Sequence, residues 1–309
     1  MFSKISKSNN PIFELARTSQ WLPPVWLAVI LAVVFIFGGQ FIGAIPYVIL
    51  LGLGWIPSTL TPIGSALYLL VFFAVTLLPT GILLILWLLL VEKRPIRSLG
   101  LERPAALKKF LRGLAAGTIL FTVVVLLIAL PGYLNTSSQD SSLPVLIIAV
   151  LIALPGWILQ SSLEEMVMRG WLMPVIGARK STWLALLISS IIFAVLHLLN
   201  PDVSLLSTVN IALAGLMFAL LVLCEGGIWG ACGLHSAWNW AQGSLFGFPV
   251  SGNLLQSPSL WMLVEDGPNI ITGGNFGPEG GLISSIVLLA ACAVLGWLIH
   301  RRNSLNPIQ

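Results

Sequence analysis

Charged residues are scarce in this sequence. Asp, Glu, Lys and Arg make up 8% of its 309 residues, whereas 57% of them are hydrophobic. A soluble domain of this size could not cover its surface with so few polar groups, so the composition excludes a soluble globular protein and indicates a membrane protein. The ten-residue segments of alternating polarity that are typical of membrane β-barrels are also missing, which leaves helices as the spanning elements.

Cysteine and histidine are rare as well, with three residues of each. Cys224, Cys232 and Cys292 lie in apolar runs without CxxC spacing, which argues against disulfides and against a thiolate zinc site. We expect no cleavable signal peptide and no prenylation of this chain itself. The basic residues are spread over short loops and form no long patch, so we expect no nucleic-acid partner.

Apolar runs of about 20 residues, each able to cross a bilayer core of ~30 Å, recur along the chain. They predict an all-α polytopic membrane protein with about eight transmembrane helices. The predicted spans are roughly 24–50, 63–91, 113–132, 143–176, 183–199, 204–223, 227–247 and 282–299. With eight spans and both termini in the cytoplasm, the Lys and Arg residues lie on or near the cytoplasmic side, as the positive-inside rule requires.

The predicted spans divide the chain into four parts. Residues 1–20 and 301–309 are expected to be cytoplasmic tails, 21–140 to hold the N-terminal helices with a basic interfacial loop, and 141–300 to form a second transmembrane unit. In the basic stretch 92–112, the apolar residues fall on one side at helical spacing, which predicts a short helix in the headgroup region; a solvated loop is the alternative. The long run from residue 143 predicts a helix break near Pro155.

The few ionisable residues inside the predicted spans are placed at related positions. Glu164 lies sixteen residues before Lys180 and His197 lies seventeen after it, so in an antiparallel hairpin both reach ~25 Å from the turn and can face each other. Glu165 and Arg169 have the i, i+4 spacing of an intrahelical ion pair, which would neutralise Glu165 and leave Glu164 free.

Two further i, i+4 pairs follow, Phe193 with His197 and His235 with Asn239. An imidazole and a carboxamide on one face can hold a reactive water or donate hydrogen bonds to a developing oxyanion, and a carboxylate facing another imidazole can take the proton of that water. The pattern indicates hydrolysis of an amide bond. It also admits structural interpretations, because residues 162–165 match a helix capping box and single polar residues often join membrane helices.

These pairs also form an ordered set of motifs. Glu164-Glu165-x-x-x-Arg169, Phe193-x-x-x-His197 and His235-x-x-x-Asn239 resemble the motifs of the CPBP family, the CAAX-protease and bacteriocin-processing intramembrane endopeptidases, also called Abi. The glycine-rich segment 273–281 is similar to one that recurs in bacterial members. The resemblance implies an eight-helix fold, a polar cavity within the membrane, a catalytic core in 141–300 and a place in a bacterial plasma membrane.

The same resemblance implies roles for the motif residues. Glu164, helped by His197, would be the general base that activates a water, and His235 and Asn239 would stabilise the oxyanion. Glu165, Arg169 and Phe193 would support them. We expect no cofactor; Glu164, His197 and His235 could ligate zinc with an open position, but one free carboxylate cannot easily be both ligand and base. The expected substrate is a membrane-associated or lipidated peptide or protein within the lipid bilayer.

Two other classes of function fit parts of the pattern. A membrane scaffold or bacteriocin-immunity protein could keep the fold without catalysis. A proton-coupled transporter could use intramembrane Glu and His as a relay, although the sequence has no detectable inverted repeat or paired broken helices. The pattern selects neither an oligomeric state nor the side of the membrane from which a substrate enters.

Overall fold

A computed structural model describes residues 10–255 and 257–305. Helices dominate the fold. They are α1 (Pro11–Arg17), α2 (Val25–Gly52), α3 (Pro62–Glu92), α4 (Ala106–Ala129), α5 (Leu143–Arg179), α6 (Thr182–Leu196), α7 (Leu205–Glu225), α8 (Trp229–Trp240), α9 (Asn269–Thr272) and α10 (Leu282–Leu305). Short 3₁₀ turns cover Ile96–Leu99, Gly274–Phe276 and Pro278–Gly280, and two strands, β1 (Leu134–Thr136) and β2 (Leu263–Glu265), pair antiparallel.

The long helices account for most of the expected spans. Within the described residues, six helical segments are long and apolar enough to cross a membrane, namely α2 to α5, α7 and most of α10. The remaining two expected spans correspond to α6, with 15 residues, and to α8, which continues as a π-helix over Ala241–Leu245. The protein is therefore an all-α polytopic membrane protein, as the composition predicts. The short helix α8 carries His235, and His197 directly follows the short helix α6.

The expected break at Pro155 is wrong. α5 continues through Pro155 and departs from α-geometry only at a π-helical segment, Met166–Leu172. Pro155 leaves the Leu151 carbonyl without its usual amide donor, but proline is tolerated in a membrane helix that neighbouring helices support. One residue earlier, the Trp240 indole of α8 donates to the Val150 carbonyl at 2.8 Å. Because Ser162 lies inside the continuous helix, the capping-box interpretation of residues 162–165 is also wrong.

The basic stretch is neither a separate interfacial helix nor only a loop. α4 begins at Ala106, seven residues before the predicted span, so the basic and apolar side chains from 107 onward occupy the first turns of the spanning helix. Leu107 and Leu111 are exposed there. Only residues 93–105 connect α3 to α4, and they contain a 3₁₀ turn.

Glycines bring α4 and α8 into close contact. A Cβ at Gly113 would lie 2.1 Å from the Gly230 carbonyl oxygen, and a Cβ at Gly233 would lie 2.1 Å from the Phe110 carbonyl oxygen. Small residues allow membrane helices to approach in this way, where van der Waals packing replaces the hydrophobic effect. α8 is buried from Gly230 to Asn239, so its polar side chains face other helices or an internal cavity.

The segment expected to be an N-terminal tail includes a packed helix. α1 is capped by the Asn10 side chain, which accepts from the Ile12 amide at 3.3 Å. Ile12 and Phe13 are buried, and the Phe13 ring fills the space beside Gly177 at the end of α5. Lys4 and Lys7 lie outside the described residues, as do 306–309 of the expected C-terminal tail. The division of the chain at residues 20, 140 and 300 stays a prediction.

Candidate active site

A cavity of about 470 Å³ lies between α2, α3, α5, α6, α7 and α8. Its wall contains the four residues predicted to be catalytic, Glu164, His197, His235 and Asn239. Further polar residues that line it are Gln40, Tyr47, Thr76, Gln160, Asn200, Asn210, Ser251, Asn253 and Glu279. Polar residues from α5, α6 and α8 therefore meet in one cavity, whose wall also contains many apolar side chains.

The expected ion pair between Glu165 and Arg169 is present. The Arg169 Nη1 donates to Glu165 Oε1 at 2.8 Å, and both side chains are fully buried. Arg169 also donates through Nη2 to the Gly215 carbonyl of α7 at 3.1 Å. Its guanidinium lies over the rings of Phe193 and Phe218, at 4.3 and 5.3 Å from their centroids. Phe193, predicted as a supporting residue, thus packs on the cation.

The same carboxylate oxygen holds His235. His235 Nδ1 lies 3.0 Å from Glu165 Oε1, and the ring stacks on Phe218 with 4.7 Å between centroids. Because an ionised carboxylate can only accept, the hydrogen of this bond is on Nδ1. His235 Nε2 then faces Glu164, 3.9 Å from its Oε2. Arg169, Glu165 and His235 form a chain that fixes both the tautomer and the orientation of the imidazole.

Glu164 is the less constrained carboxylate of the pair, as the 100° turn between adjacent helix positions predicts. Its Oε1 accepts from the Gln160 amide at 2.6 Å, one turn earlier on α5. Its Oε2 is buried and has no hydrogen-bond partner among the described residues. An unpartnered carboxylate oxygen on the wall of a cavity is available to a water or a substrate group.

Gln160 was not identified from the sequence. Its Oε1 accepts from Asn239 Nδ2 at 2.9 Å and from the Ser161 hydroxyl at 2.9 Å, while its amide nitrogen donates to Glu164. Gln160 therefore joins the α8 carboxamide to the α5 carboxylate. Its i, i+4 spacing from Glu164 was the available signal, whereas Phe218, which stacks on His235, had no local signal because it comes from a different helix.

His197 caps the end of α6 on another wall of the cavity. Its Nδ1 lies 2.7 Å from the Phe193 carbonyl oxygen, so Nδ1 donates and Nε2 stays available. The rings of His197 and Phe193 are in edge contact, 4.8 Å between centroids. Within the described residues, the histidine that approaches Glu164 to within 4 Å is His235 and not His197. The equal distance of Glu164 and His197 from the turn at Lys180 correctly predicted that both line one cavity. It did not predict that His235 is the imidazole nearer to Glu164.

A second carboxylate from a distant loop also lines the cavity. Glu279 lies on the 3₁₀ turn Pro278–Gly280, where its side chain accepts from the Ser251 amide. Burial raises the pKa of the Glu279 carboxyl above its usual range, while hydrogen bonds from Ser251 and the electrostatic attraction of His197 act in the opposite direction. Asn210 of α7 holds the turn by donating to the Glu279 and Gly281 carbonyls at 2.8 and 2.9 Å.

The histidine nitrogens limit what the site could bind. Nδ1 of His235 is bonded to Glu165, and Nδ1 of His197 to the Phe193 carbonyl, so only the two Nε2 atoms remain for a further ligand. Over residues 10–255 and 257–305, no group of three or more His, Cys, Asp and Glu side chains is arranged to hold a metal ion.

Comparison with known proteins identifies the segment that contains the site. Residues 142–241 match the model of a family described as Type II CAAX prenyl endopeptidase Rce1-like, which is the CPBP family that the motifs resemble. The match includes all three motifs and ends before the loop with Glu279. Searches of the curated proteins and of the solved structures find no significant match.

Proposed function

We propose, from the place of residues 142–241 in the CAAX endopeptidase family, that the protein is an intramembrane endopeptidase whose attacking water is activated by Glu164. The family supports intramembrane endopeptidase activity in general. The observation that carries the finer assignment is the Glu164 Oε2 atom, which is buried on the cavity wall, has no described hydrogen-bond partner and lies 3.9 Å from His235 Nε2. Two acceptors at this separation can bind the two hydrogens of a single water.

The geometry supports different roles for Glu164, His235 and Asn239 in the proposed reaction. Glu164 and the neutral His235 Nε2 accept the hydrogens of the water and direct its oxygen lone pair at the carbonyl carbon. As the C–O bond forms, Glu164 takes one proton, and the carbonyl oxygen becomes an oxyanion. Asn239 has a second amide hydrogen beyond the one it donates to Gln160, and this hydrogen can stabilise the oxyanion.

Collapse of the tetrahedral intermediate completes the cycle. The C–N bond breaks and the amine takes the proton from Glu164, which regenerates the base. The second proton of the water then passes from the new carboxylic acid to the amine, so the products are a carboxylate and an ammonium group. His197 supplies a second imidazole to the cavity wall, and its Nε2 is available to the leaving amine. Glu165, Arg169 and Phe193 do not touch the substrate in this proposal; they hold His235 and the backbone that carries Glu164.

The test compares the N- and C-termini of membrane proteins in cells that carry the wild-type chain, Glu164→Gln or Glu14→Gln. Glu164→Gln keeps the shape and removes the base, while Glu14 is an exposed carboxylate on α1 and serves as the matched control. New protein termini should occur with wild type and Glu14→Gln and disappear with Glu164→Gln. Termini that persist with Glu164→Gln at normal protein level would contradict the proposal and favour a non-catalytic scaffold or immunity protein.

A further inference from the structure

The two ends of the molecule carry opposite charge. The loop segments 131–142, 199–204 and 246–281 contain five carboxylate residues and no Lys or Arg. We call this end the acidic face. Its loops are in mutual contact, because β1 pairs with β2, the Asn200 amide donates to the Ser251 carbonyl at 2.9 Å, and Gly252 packs against the Pro201 carbonyl.

The opposite end holds the basic residues. Apart from Arg169, every Lys and Arg of the described chain lies in residues 10–20, 92–112, 177–181 or 300–305. We call these segments, together with the turn 225–229 that contacts them, the basic face. These segments also contact one another. The Ile228 amide donates to the Gly100 carbonyl at 3.1 Å, and Lys109 donates to the Glu225 carbonyl at 2.9 Å.

The cavity extends to the acidic face. Asn200, Ser251, Asn253 and Glu279 belong to acidic-face loops and form part of its wall. Of the described residues that line the cavity, none belongs to a basic-face segment. The cavity can therefore open to water only at the acidic face. Its other open direction is sideways, into the bilayer.

Packed side chains close the cavity on the other side. Along α5 the π-helical segment Met166–Leu172 lies between Glu164 and the basic-face turn 177–181, and its Trp171 and Leu172 are fully buried. A Cβ at Gly170 would lie 2.7 Å from the Leu99 carbonyl oxygen, so this segment is in direct contact with the basic-face turn. Leu99 and Ile228 have no exposed surface.

The charged residues of the cavity wall disfavour a substrate that enters by its free C-terminal carboxylate. Glu164 and Glu279 line it, and none of its described lining residues is Lys or Arg. Arg169 is the nearest buried cation, but it has no exposed surface and is already bonded to Glu165. A free carboxylate in such a site would lack the cationic partner that a buried anion needs. A CAAX box ends in a free carboxylate three residues after its cysteine.

Basic loops are retained on the cytoplasmic side of a membrane, which makes the acidic face the extracytoplasmic one. We propose that the cavity receives its substrate from the extracytoplasmic side, as an internal segment of a membrane-associated peptide chain and not as the free C-terminus of a cytoplasmic protein. The chemistry of this inference rests on the proposed function, whereas the side of entry rests on the charge of the two faces and on the cavity wall alone.

Side of entry can be measured without a known substrate. A membrane-impermeant maleimide is applied to right-side-out and to inside-out vesicles with Asn253→Cys in the cavity wall, Leu254→Cys on the acidic face and Lys180→Cys on the basic face. The parent chain, with its three native cysteines, gives the background. Asn253→Cys and Leu254→Cys should label in right-side-out vesicles, and Lys180→Cys in inside-out ones.

Two labelling results for Asn253→Cys would overturn the inference. Labelling of Asn253→Cys only in inside-out vesicles would place the cavity mouth in the cytoplasm. Failure of Asn253→Cys to label in either orientation, with Leu254→Cys labelled, would show that the cavity has no aqueous path to the acidic face.

The comparison of protein termini separates this inference from the proposed function. Glu164-dependent cleavage within extracytoplasmic segments is the expected result. Glu164-dependent cleavage three residues before the C-termini of cytoplasmic proteins would overturn the inference and leave the peptidase intact. No Glu164-dependent cleavage would overturn the peptidase, while the vesicle labelling would still decide the side from which the cavity opens.

Discussion

Glu165 on α5 and His235 on α8 lie 3.0 Å apart, and the carboxylate oxygen that accepts from His235 also accepts from Arg169 at 2.8 Å. A buried carboxylate that holds Nδ1 of a histidine leaves Nε2 directed at the reacting groups, as in hydrolytic triads on unrelated folds. In this protein Nε2 faces Glu164. The second glutamate of the motif thereby orients the imidazole nearest to the first.

Glu165→Gln is expected to reduce both stability and cleavage. The change leaves Arg169 as an uncompensated buried charge, which costs about 3–5 kcal/mol in the free energy of unfolding. Thermal unfolding in detergent measures this loss. The double variant Glu165→Gln/Arg169→Met should recover most of the stability, because it removes both charges, but it should not recover cleavage, because His235 still lacks its carboxylate. Wild-type stability of Glu165→Gln would contradict the role of the ion pair.

His235→Gln is expected to slow cleavage about 10²–10⁴-fold, the range for loss of a group that assists proton transfer. His300→Gln is the matched control, since His300 is exposed at the end of α10, and it should leave the rate unchanged. His197→Gln should have a smaller effect than His235→Gln, because His235 is the imidazole within 4 Å of Glu164. The reverse order would assign the assistance of Glu164 to His197. Rates of formation of the Glu164-dependent product provide the measurement.

Gly277→Ala is expected to destabilise the loop that carries Glu279. Gly277 has φ of 97°, and a Cβ there would lie 2.3 Å from the Pro249 carbonyl oxygen. A non-glycine residue in such a conformation costs about 1–3 kcal/mol before the clash is counted. Gly296→Ala on α10 is the control, since its Cβ would meet no described atom within 4 Å and alanine favours a helix by up to about 1 kcal/mol. Equal melting temperatures for the two variants would refute this account.

The docking of β2 is expected to weaken as pH rises. Burial raises the pKa of Glu265 to about 7, and its Oε2 accepts from the Gly274 amide at 2.8 Å. A carboxyl whose pKa is raised in the folded state binds more protons folded than unfolded, so its contribution to stability is full below about pH 4.5 and is lost as pH rises through about 7. Glu265→Gln should flatten the dependence of the melting temperature on pH across this window. If the melting temperature of Glu265→Gln depended on pH as steeply as that of the wild type, other groups would be the cause of the pH dependence.

Features that depend on neighbours along one helix were predictable from the sequence. The helical type of the spanning segments and six of the eight expected spans follow from apolar length, because a helix must satisfy its backbone within the bilayer. The Glu165–Arg169 pair follows from i, i+4 spacing, and the same rule could have found Gln160 beside Glu164. The break expected at Pro155 was wrong, because a proline is tolerated where neighbouring helices support its helix, and such a contact, from the Trp240 indole to the Val150 carbonyl, comes from α8, ninety residues later.

The sequence by itself determined a helical membrane protein with two glutamates, two histidines and a carboxamide at spacings suited to one cavity. Only the tertiary structure decided that Glu165 holds His235, that His235 rather than His197 approaches Glu164, and that a loop carboxylate, Glu279, joins the same wall. The reason is physical. Helix periodicity determines which side chains share a face, but the rotation of one helix against another is set by packing contacts such as Gly113 against Gly230 and Phe218 against His235, between residues that are distant in the chain.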